Sequence, residues 1–303
     1  MARKKVAIIG AGRFGNSLAR LFRRSGVAVA LWDTDAYKVP GRKPLPAVLR
    51  SADAVFFCIP SFALNTAMKE CKKYLQKDCV VVSPIKGIDR KTGSTTVDIL
   101  TRHLPGHPHA ILGGPMLAEE LDRGLGGTAV IASRHHKAAR RLGALFAGSK
   151  VNVVYSTDMR GVALLGVMKN VYAVAMGVAE GLGWGMNYKG PLIAQATAEM
   201  RAILAAAGGK PDTAAGVAGL GDLVATGFSH YSRNHKFGVA LAQGKRPTFE
   251  SEGSLSIRAL LALLKKKRMP LADLPLLAAT ARAITKKGAT RKAFKRFQAN
   301  GGA

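Results

Sequence analysis

The chain has 303 residues, which is long enough for two domains that each bury a core. Hydrophobic residues make up 48% and charged residues 21%, values typical of a globular protein that exclude a disordered or fibrous chain. The charge balance is unusual, because 46 Lys and Arg against 18 Asp and Glu give a formal net charge of +28. Such a field attracts phosphorylated metabolites, nucleic acids and acidic lipid surfaces.

We expect neither an export signal nor a membrane-spanning segment in this sequence. The basic start is followed by an apolar run that breaks into glycines without a small-residue cleavage site, so we expect no signal peptide. No uncharged run reaches the roughly 18 to 20 residues that a membrane span needs. Cys58, Cys71 and Cys79 lack metal-ligand spacing and cannot all pair, which favours a reducing compartment. We predict a cytoplasmic protein without a bound metal.

The first half alternates strand-like and helix-like segments. Helical patterns such as 16–25, 64–75 and 136–146 lie between runs rich in Val, Ile, Phe and Ala. Continuous apolar runs are typical of a parallel sheet that is covered on both faces. The predicted strands are Val6–Ile9, Val27–Trp32, Ala54–Ile59, Cys79–Ser83, Ala110–Leu112, Thr128–Ala132 and Val151–Tyr155. This alternation predicts a doubly wound, Rossmann-like α/β domain over residues 1–157.

From Asp158 onward the strand-like runs disappear. Long segments rich in Ala, Leu and Met follow, separated by glycine clusters, and predict an all-helical domain over residues 158–303. The tail from Lys286 is strongly basic, and we expect it to fray.

The stretch "VAIIGAGRFGNSLA" has the spacing of a dinucleotide-binding loop. Gly10, Gly12 and Gly15 follow a predicted strand and open a predicted helix, whose N-terminus would face a pyrophosphate. Asp33, directly after the second strand, is placed to bind the ribose hydroxyls of NAD. Arg13 and Lys38 favour the additional phosphate of NADP. We predict NAD or NADP as cofactor, with Asp33 favouring NAD.

Lys169 lies in "LLGVMKNVYAVAMG", an otherwise apolar helical segment. Burying an ammonium group is costly unless it is paired or deprotonated. The lysine either extends its head to the surface along an apolar stem or serves in proton transfer with a lowered pKa.

Five further motifs carry polar or charged residues beside glycines. They are "PIKG" with Lys86, "GGPMLAEE" from Gly113, "AGLGDLVAT" with Asp222 and Thr226, "SRNHKFG" from Ser232, and "ESEG" with Glu252. Taken alone, Asp222 is also suited to capping a helix N-terminus. With "VMKN", this ordered set resembles the NAD(P)-dependent glycerol-3-phosphate dehydrogenases from Val6 to about Ile284.

The resemblance implies a role for each matching residue. Lys169 would exchange the proton, assisted by Asp222, Thr226 and Lys86. The substrate would be bound by Lys86, Gly114, Lys169, Asp222, Ser232, Arg233 and Asn234. The cofactor would be bound by Gly10, Gly12, Arg13, Phe14, Gly15, Asp33, Pro60, Lys86, Ala118, Arg233 and Glu252. The implied activity is reversible hydride transfer between NAD(P)H and dihydroxyacetone phosphate in a homodimer, feeding glycerophospholipid synthesis.

The sequence departs from the family pattern at two places, and two other functions are alternatives to this prediction. The segment between "LWDTDAYK" and "ADAVFF" is short, and Met116 replaces the usual Ser or Thr, which would remove a hydroxyl from the substrate site. A related dehydrogenase acting on another small anionic hydroxy or keto compound is one alternative. A non-catalytic dinucleotide sensor is the other, although it would not need Lys169.

The remaining charged residues are interpreted as solvated. The basic runs "KKKR" at 265–268 and "RKAFKR" at 291–296 fit the polar side of amphipathic helices, so nucleic-acid binding is not favoured. The histidines, including His107 and His109, have no carboxylate at ligand spacing, and we expect them to be solvated.

Overall fold

The computed structural model describes residues 4–89, 92–245 and 247–299. All seven predicted strands form, within one or two residues of their expected ends. Their bounds are β1 Lys5–Ile9, β2 Ala28–Trp32, β3 Ala54–Phe57, β4 Val80–Ser83, β5 His109–Gly113, β6 Gly127–Ala132 and β7 Val151–Ser156. The central strands β3 and β4 are buried along their whole length, which explains their continuous apolar sequence.

The strands form one sheet in the order β2-β1-β3-β4-β5-β6-β7. The pairs from β2 to β5 are parallel, as is the pair of β6 with β7. The expectation of a parallel sheet is wrong at one place, because β5 and β6 are antiparallel. A return to a parallel register needs a long crossover. The connection here contains only the five-residue helix Ala118–Asp122, which rises about 7.5 Å and is too short to span a strand.

Six α-helices in the part of the chain that the structure describes accompany the sheet. They are α1 Arg13–Arg24, α2 Leu45–Arg50, α3 Leu64–Cys71, α4 Thr96–His103, α5 Ala118–Asp122 and α6 His136–Gly143. The core against the sheet is centred on Phe22 of α1, whose ring lies 5.3 Å from that of Phe56 and 5.2 Å from that of Phe146. Burial of these aromatic rings attaches α1 firmly to the sheet.

The remainder of the described chain is helical, as predicted. Its helices are α7 Met159–Gly181, α8 Met186–Ala207, α9 Asp222–Gly227, α10 Arg233–Ala242, α11 Glu252–Lys266, α12 Pro275–Thr285 and α13 Thr290–Ala299. Helix α7 is long and apolar enough to cross a membrane, but its apolar window is entirely buried within the protein, as in the central helix of a folded core.

The chain divides into two compact units. The first unit contains the residues up to Ile85 together with Ser94–Ala163, and it holds the sheet. The second unit contains Lys86–Gly93 and the residues from Leu164 onward.

The expectation that the basic tail frays is wrong for its described part. Phe294 and Phe297 of α13 are buried, and the Phe294 ring lies 6.1 Å from that of Trp184. These two residues are three apart and share one helix face, so their burial fixes the helix while its cations face outward.

The expectation of solvated histidines is also wrong at one position. His109 is buried at the start of β5, and its Nδ1 lies 2.8 Å from the His107 carbonyl oxygen. Burial lowers the pKa of both histidines. Cys58, Cys71 and Cys79 are all free thiols.

Candidate functional site

The glycine loop of the first unit connects β1 to α1 and is closely packed at two of its glycines. Gly10 directly follows β1 with a φ of 106°, and a Cβ there would lie 2.3 Å from the Cys58 carbonyl oxygen. A Cβ at Gly15 would lie 2.0 Å from the Gly10 carbonyl oxygen, so only glycine lets α1 begin this close to β1. A Cβ at Gly12 would meet nothing within 4 Å. The loop therefore leaves open space at the N-terminus of α1, where a pyrophosphate can bind.

Asp33 supports this loop directly. Its Oδ2 accepts a hydrogen bond from the Ala11 N–H at 2.8 Å, and its Oδ1 accepts one from the Asp35 N–H at 3.0 Å. Partial burial raises its pKa, but these hydrogen bonds and the nearby Lys38 outweigh that effect and hold the pKa of Asp33 below its ordinary value. Asp33 therefore stays ionised, and its Oδ2, which accepts only the Ala11 N–H among the described groups, keeps a lone pair for a ribose hydroxyl.

Other cofactor-site residues predicted from the sequence lie near the same loop. Arg13 pairs with Glu119 at 2.5 Å, which joins the start of α1 to the first turn of α5, where Ala118 lies. Phe14 is half-buried against the core. Pro60 follows β3, two residues after the Cys58 backbone that contacts the loop. Sequence analysis missed Glu119, whose signal is an acidic pair in the first turn of α5.

Gly114 and Met116 follow β5 in the same unit. Gly114 comes directly after the strand, at the carboxyl edge of the parallel part of the sheet. Met116 is buried within the hydrophobic core cluster of this unit. The expected loss of a hydroxyl from the substrate site at this position stays a prediction.

The second unit contains a buried cluster of four polar side chains. The Lys169 Nζ donates to the Thr226 hydroxyl at 2.6 Å and to Asp222 Oδ1 at 3.1 Å. The Thr226 hydroxyl donates to the same oxygen at 3.1 Å, and the Lys86 Nζ donates to Asp222 Oδ2 at 2.9 Å. Lys169 is 4% exposed and Asp222 is 1% exposed, whereas the Lys86 side chain is 26% exposed. Lys169 therefore does not extend its head to the surface.

Local structure explains why these groups meet. A π-helical turn, Val217–Gly221, leads into α9, which begins at Asp222. Thr226 is four residues later, so it shares a helix face with Asp222. The N-cap of α9 is Gly221 rather than Asp222, and the Asp222 carboxylate accepts hydrogen bonds from the two lysines. The Lys86 stem lies against Gly166, where a Cβ would come within 3.1 Å of the lysine Cγ.

Burial shifts the pKa of Lys169 and that of Asp222 in opposite directions, and the neighbouring charges then modify both. Burial lowers the pKa of Lys169 to about 7, while the charge of Asp222 raises it and that of Lys86 lowers it further. Burial raises the pKa of Asp222, but the two lysine charges outweigh that effect and hold it below its ordinary value. The cluster thus holds a stable carboxylate beside an amine that exchanges its proton near neutral pH.

The remaining predicted residues lie around α10 and α11. Ser232 caps α10 by accepting the His235 N–H. Arg233 is exposed, donates to the Glu250 carbonyl at 2.9 Å and lies over the Phe249 ring, with no carboxylate partner among the described residues. This leaves most of its donors available to an anion. Glu252 is the exposed first residue of α11.

Asn234 has a structural function in this arrangement. Its amide donates to the Asn170 side-chain oxygen at 3.0 Å, and its own oxygen accepts the Gly253 N–H at 2.8 Å. Asn234 therefore connects the helix that carries Lys169 to the first turn of α11. The adjacency of Lys169 and Asn170 in "KN" was the available signal for this link.

A second buried polar network was missed by sequence analysis. Glu199 of α8 accepts hydrogen bonds from the Tyr172 hydroxyl at 2.7 Å and from the backbone N–H groups of Leu276 and Leu277. Tyr172 lies three residues after Lys169, so the network fixes the same helix. A single Glu in a helical pattern gives no sequence signal that it is buried.

Comparison with known proteins supports the resemblance. The model described as the C-terminus of NAD-dependent glycerol-3-phosphate dehydrogenase matches residues 158–295, and the model of its N-terminus matches residues 37–139. A glycerol-3-phosphate dehydrogenase (NAD(P)+) from Rhizobium etli is 37% identical, over 89% of this chain and 91% of its own. One from Clostridium perfringens is 33% identical over 80% of each chain.

The fold agrees with this match. The crystal structure of glycerol-3-phosphate dehydrogenase from Coxiella burnetii superposes with a TM-score of 0.88 at 27% identity, covering 98% of this chain and 99% of its own. The chain belongs to the NAD-dependent glycerol-3-phosphate dehydrogenase family.

Proposed function

We propose that the protein catalyses the reversible NAD(P)-dependent reduction of dihydroxyacetone phosphate to sn-glycerol 3-phosphate. The observation that carries this proposal is the buried cluster in which Lys169 shares Asp222 with Lys86 and contacts Thr226. A sensor that only binds a dinucleotide has no need for an amine whose pKa is lowered to about 7.

The residues of the first unit fit a dinucleotide. The open space at Gly12, the close packing at Gly15 and the N-terminus of α1 suit a pyrophosphate, and the ionised Asp33 suits a ribose. When bound, the nicotinamide supplies the hydride to the carbonyl carbon. Asp33 favours NAD, and the same loop offers Arg13 for the additional phosphate of NADP.

The residues of this chain carry out the proton transfer. As the carbonyl is reduced, negative charge develops on its oxygen, and the Lys169 ammonium gives that oxygen a proton. Asp222 and Thr226 fix the direction of the Lys169 Nζ, and the neighbouring Lys86 charge makes its proton easier to release. In the reverse direction the neutral amine accepts the hydroxyl proton.

Arg233 is the residue that we propose for the substrate phosphate. It is exposed and has no carboxylate partner among the residues described, and a guanidinium binds phosphate through two parallel hydrogen bonds. Ser232 and Lys86 would assist. The high positive charge of the chain would concentrate the dianionic substrate.

The test is loss of absorbance of NADH or NADPH when purified protein is mixed with dihydroxyacetone phosphate. Oxidation that depends on this substrate is expected, and the preferred cofactor is read from the same assay. No oxidation with either cofactor would refute the proposal, and oxidation with a different small anionic keto compound would favour the related dehydrogenase. The variant Lys169→Ala should lose turnover and still bind NADH, as judged by quenching of protein fluorescence. Equal loss of both would indicate that Lys169 is structural.

Three further points belong to this proposal. The dinucleotide-binding domain would span residues 1–157 and the substrate domain 158–303. A cytoplasmic location is supported by the three free thiols, and the product would feed glycerophospholipid synthesis. A homodimer follows from the family resemblance, and light scattering on the purified protein tests it.

A further inference from the structure

A large cavity lies in the second unit among residues to which the proposed reaction assigns no part. Its volume is about 1190 Å³, above the roughly 300–1,000 Å³ of ordinary small-molecule sites. It is formed by the end of α10, by α11, and by the connection from α12 to α13. None of Lys86, Lys169, Asp222 and Thr226 lines it.

The floor of the cavity is aliphatic. Ile257 and Ala283 are buried, and Leu241, Leu255 and Ile284 are partly buried along its walls. Apolar surface of this kind gains stability when a hydrocarbon group replaces water on it. This part of the lining therefore suits an alkyl chain, whereas Ser254, Thr285 and Thr290 make other parts polar.

The rim of the cavity is cationic. Among the described residues that line it, five exposed cations come from four separate segments. They are Lys245, Arg258, Lys286, Lys287 and Arg291. No ion pair joins any of them to a carboxylate within the described ranges, and Glu250 is the single acid in the lining.

This arrangement differs from an ordinary solvated helix face. The run at 265–268 also carries four consecutive cations, but it lies at the end of α11 and does not line the cavity. The segment from Arg233 to the C-terminus holds 16 Lys and Arg against 3 Asp and Glu. Cations that gather around an apolar floor repel one another, and a bound anion relieves that repulsion.

We propose that this cavity binds an amphiphilic phosphomonoester. The phosphate would lie on the rim, where Arg258 and the paired Lys286 and Lys287 supply charge-assisted hydrogen bonds. The first turn of α13 adds the partial positive charge of a ten-residue helix beside Arg291. The alkyl chain would lie on the aliphatic floor around Ile257. The proposal does not depend on the dehydrogenase activity.

Dodecyl phosphate, below its micelle-forming concentration, is the probe, and isothermal titration calorimetry of the full chain is the measurement. We expect saturable binding with one site per chain, and binding at least about tenfold weaker for inorganic phosphate, which lacks the chain. Equal affinity for the two probes would overturn the proposal, because the floor would then contribute nothing.

Two variants test the two halves of the site. Lys286→Glu with Lys287→Glu should weaken dodecyl phosphate binding at least about tenfold. Ala262→Trp, which places an indole ring at an exposed lining position of α11 and so obstructs the aliphatic surface, should weaken dodecyl phosphate binding but leave that of inorganic phosphate unchanged. The matched control, Lys265→Glu with Lys266→Glu, makes the same change of net charge outside the cavity and should bind like the parent.

The control also separates this site from general attraction to a +28 protein. Equal weakening in both double variants would overturn the proposal. A third outcome would also overturn the proposal. If the parent protein binds a short single-stranded oligonucleotide but not dodecyl phosphate, and the Lys286→Glu, Lys287→Glu variant loses that binding, the cavity rim is a nucleic-acid surface. Circular dichroism and thermal unfolding confirm that each variant folds.

Discussion

The variant Asp222→Asn tests the electrostatics of the proton-transfer cluster. Asp222 is the carboxylate shared by Lys169, at 3.1 Å, and Lys86, at 2.9 Å. Reduction requires the Lys169 ammonium, so kcat/KM for dihydroxyacetone phosphate should fall as pH rises through about 7, the pKa of this lysine. Oxidation requires the neutral amine, so kcat/KM for glycerol 3-phosphate should rise through the same pH.

Removing the carboxylate charge leaves Lys169 buried beside another cation. Opposite charges about 4 Å apart attract by about 4 kcal/mol at an effective dielectric constant of about 20, which corresponds to roughly three pH units. Relaxation of the site and entry of water offset part of this loss. We expect the falling limb of the reduction profile to move toward acid by at least about one pH unit, with about tenfold less activity above neutrality.

Lys86→Met should move the same limb in the opposite direction. The charge of Lys86 lowers the pKa of Lys169, so its removal should shift the falling limb toward alkaline pH. The assay is kcat/KM against pH for both variants, well below their unfolding temperatures, because the loss of Asp222 also costs stability. An unmoved limb in Asp222→Asn, or shifts of both variants in the same direction, would refute the electrostatic account.

Three other predictions follow from particular contacts. Gly15→Ala should lower the free energy of unfolding in urea by about 2 kcal/mol or more, because the added Cβ clashes with the backbone. Gly12→Ala should leave the free energy of unfolding unchanged and weaken NADH binding at least about tenfold. Equal losses of unfolding free energy in the two variants would contradict this. Arg233→Ala should raise the KM for dihydroxyacetone phosphate about 10- to 100-fold, with Lys236→Ala on the same helix as a near-neutral control; an unchanged KM would place the phosphate elsewhere. Glu199→Ala should lower the free energy of unfolding by about 3 to 5 kcal/mol, because it leaves a buried hydroxyl and two N–H groups without an acceptor. Glu199→Gln should lower it less, because burial already raises the pKa of this carboxyl. Equal losses of unfolding free energy in the two variants would contradict this reasoning.

The architecture was largely predictable because its signals are local. Apolar runs bounded by turns identified all seven strands, and a glycine loop after the first strand indicated where a dinucleotide would bind. The antiparallel pairing of β5 with β6 was not predictable from those signals. Strand direction depends on how far the connecting segment can carry the chain, and a five-residue helix is weakly marked in sequence.

Whether a side chain is buried, and which groups it contacts, depends on residues that are distant in the chain. The packing of Phe294 against Trp184 reversed an expectation drawn from charge, and the family pattern did not indicate that Met116 lies in the core. A basic segment remains ordered when its opposite face finds an apolar surface, and composition does not reveal that surface.

For Lys169 the sequence determined two things: that an amine lies in an apolar helix, and that Asp222 and Thr226 share one helix face four residues apart. Only the tertiary structure decided that Lys169 is buried rather than extended to the surface, and that Asp222 is divided between two lysines. The physical reason is that a pKa depends on distance and burial, and both arise where residues 53 and 136 positions apart are brought within 3.1 Å.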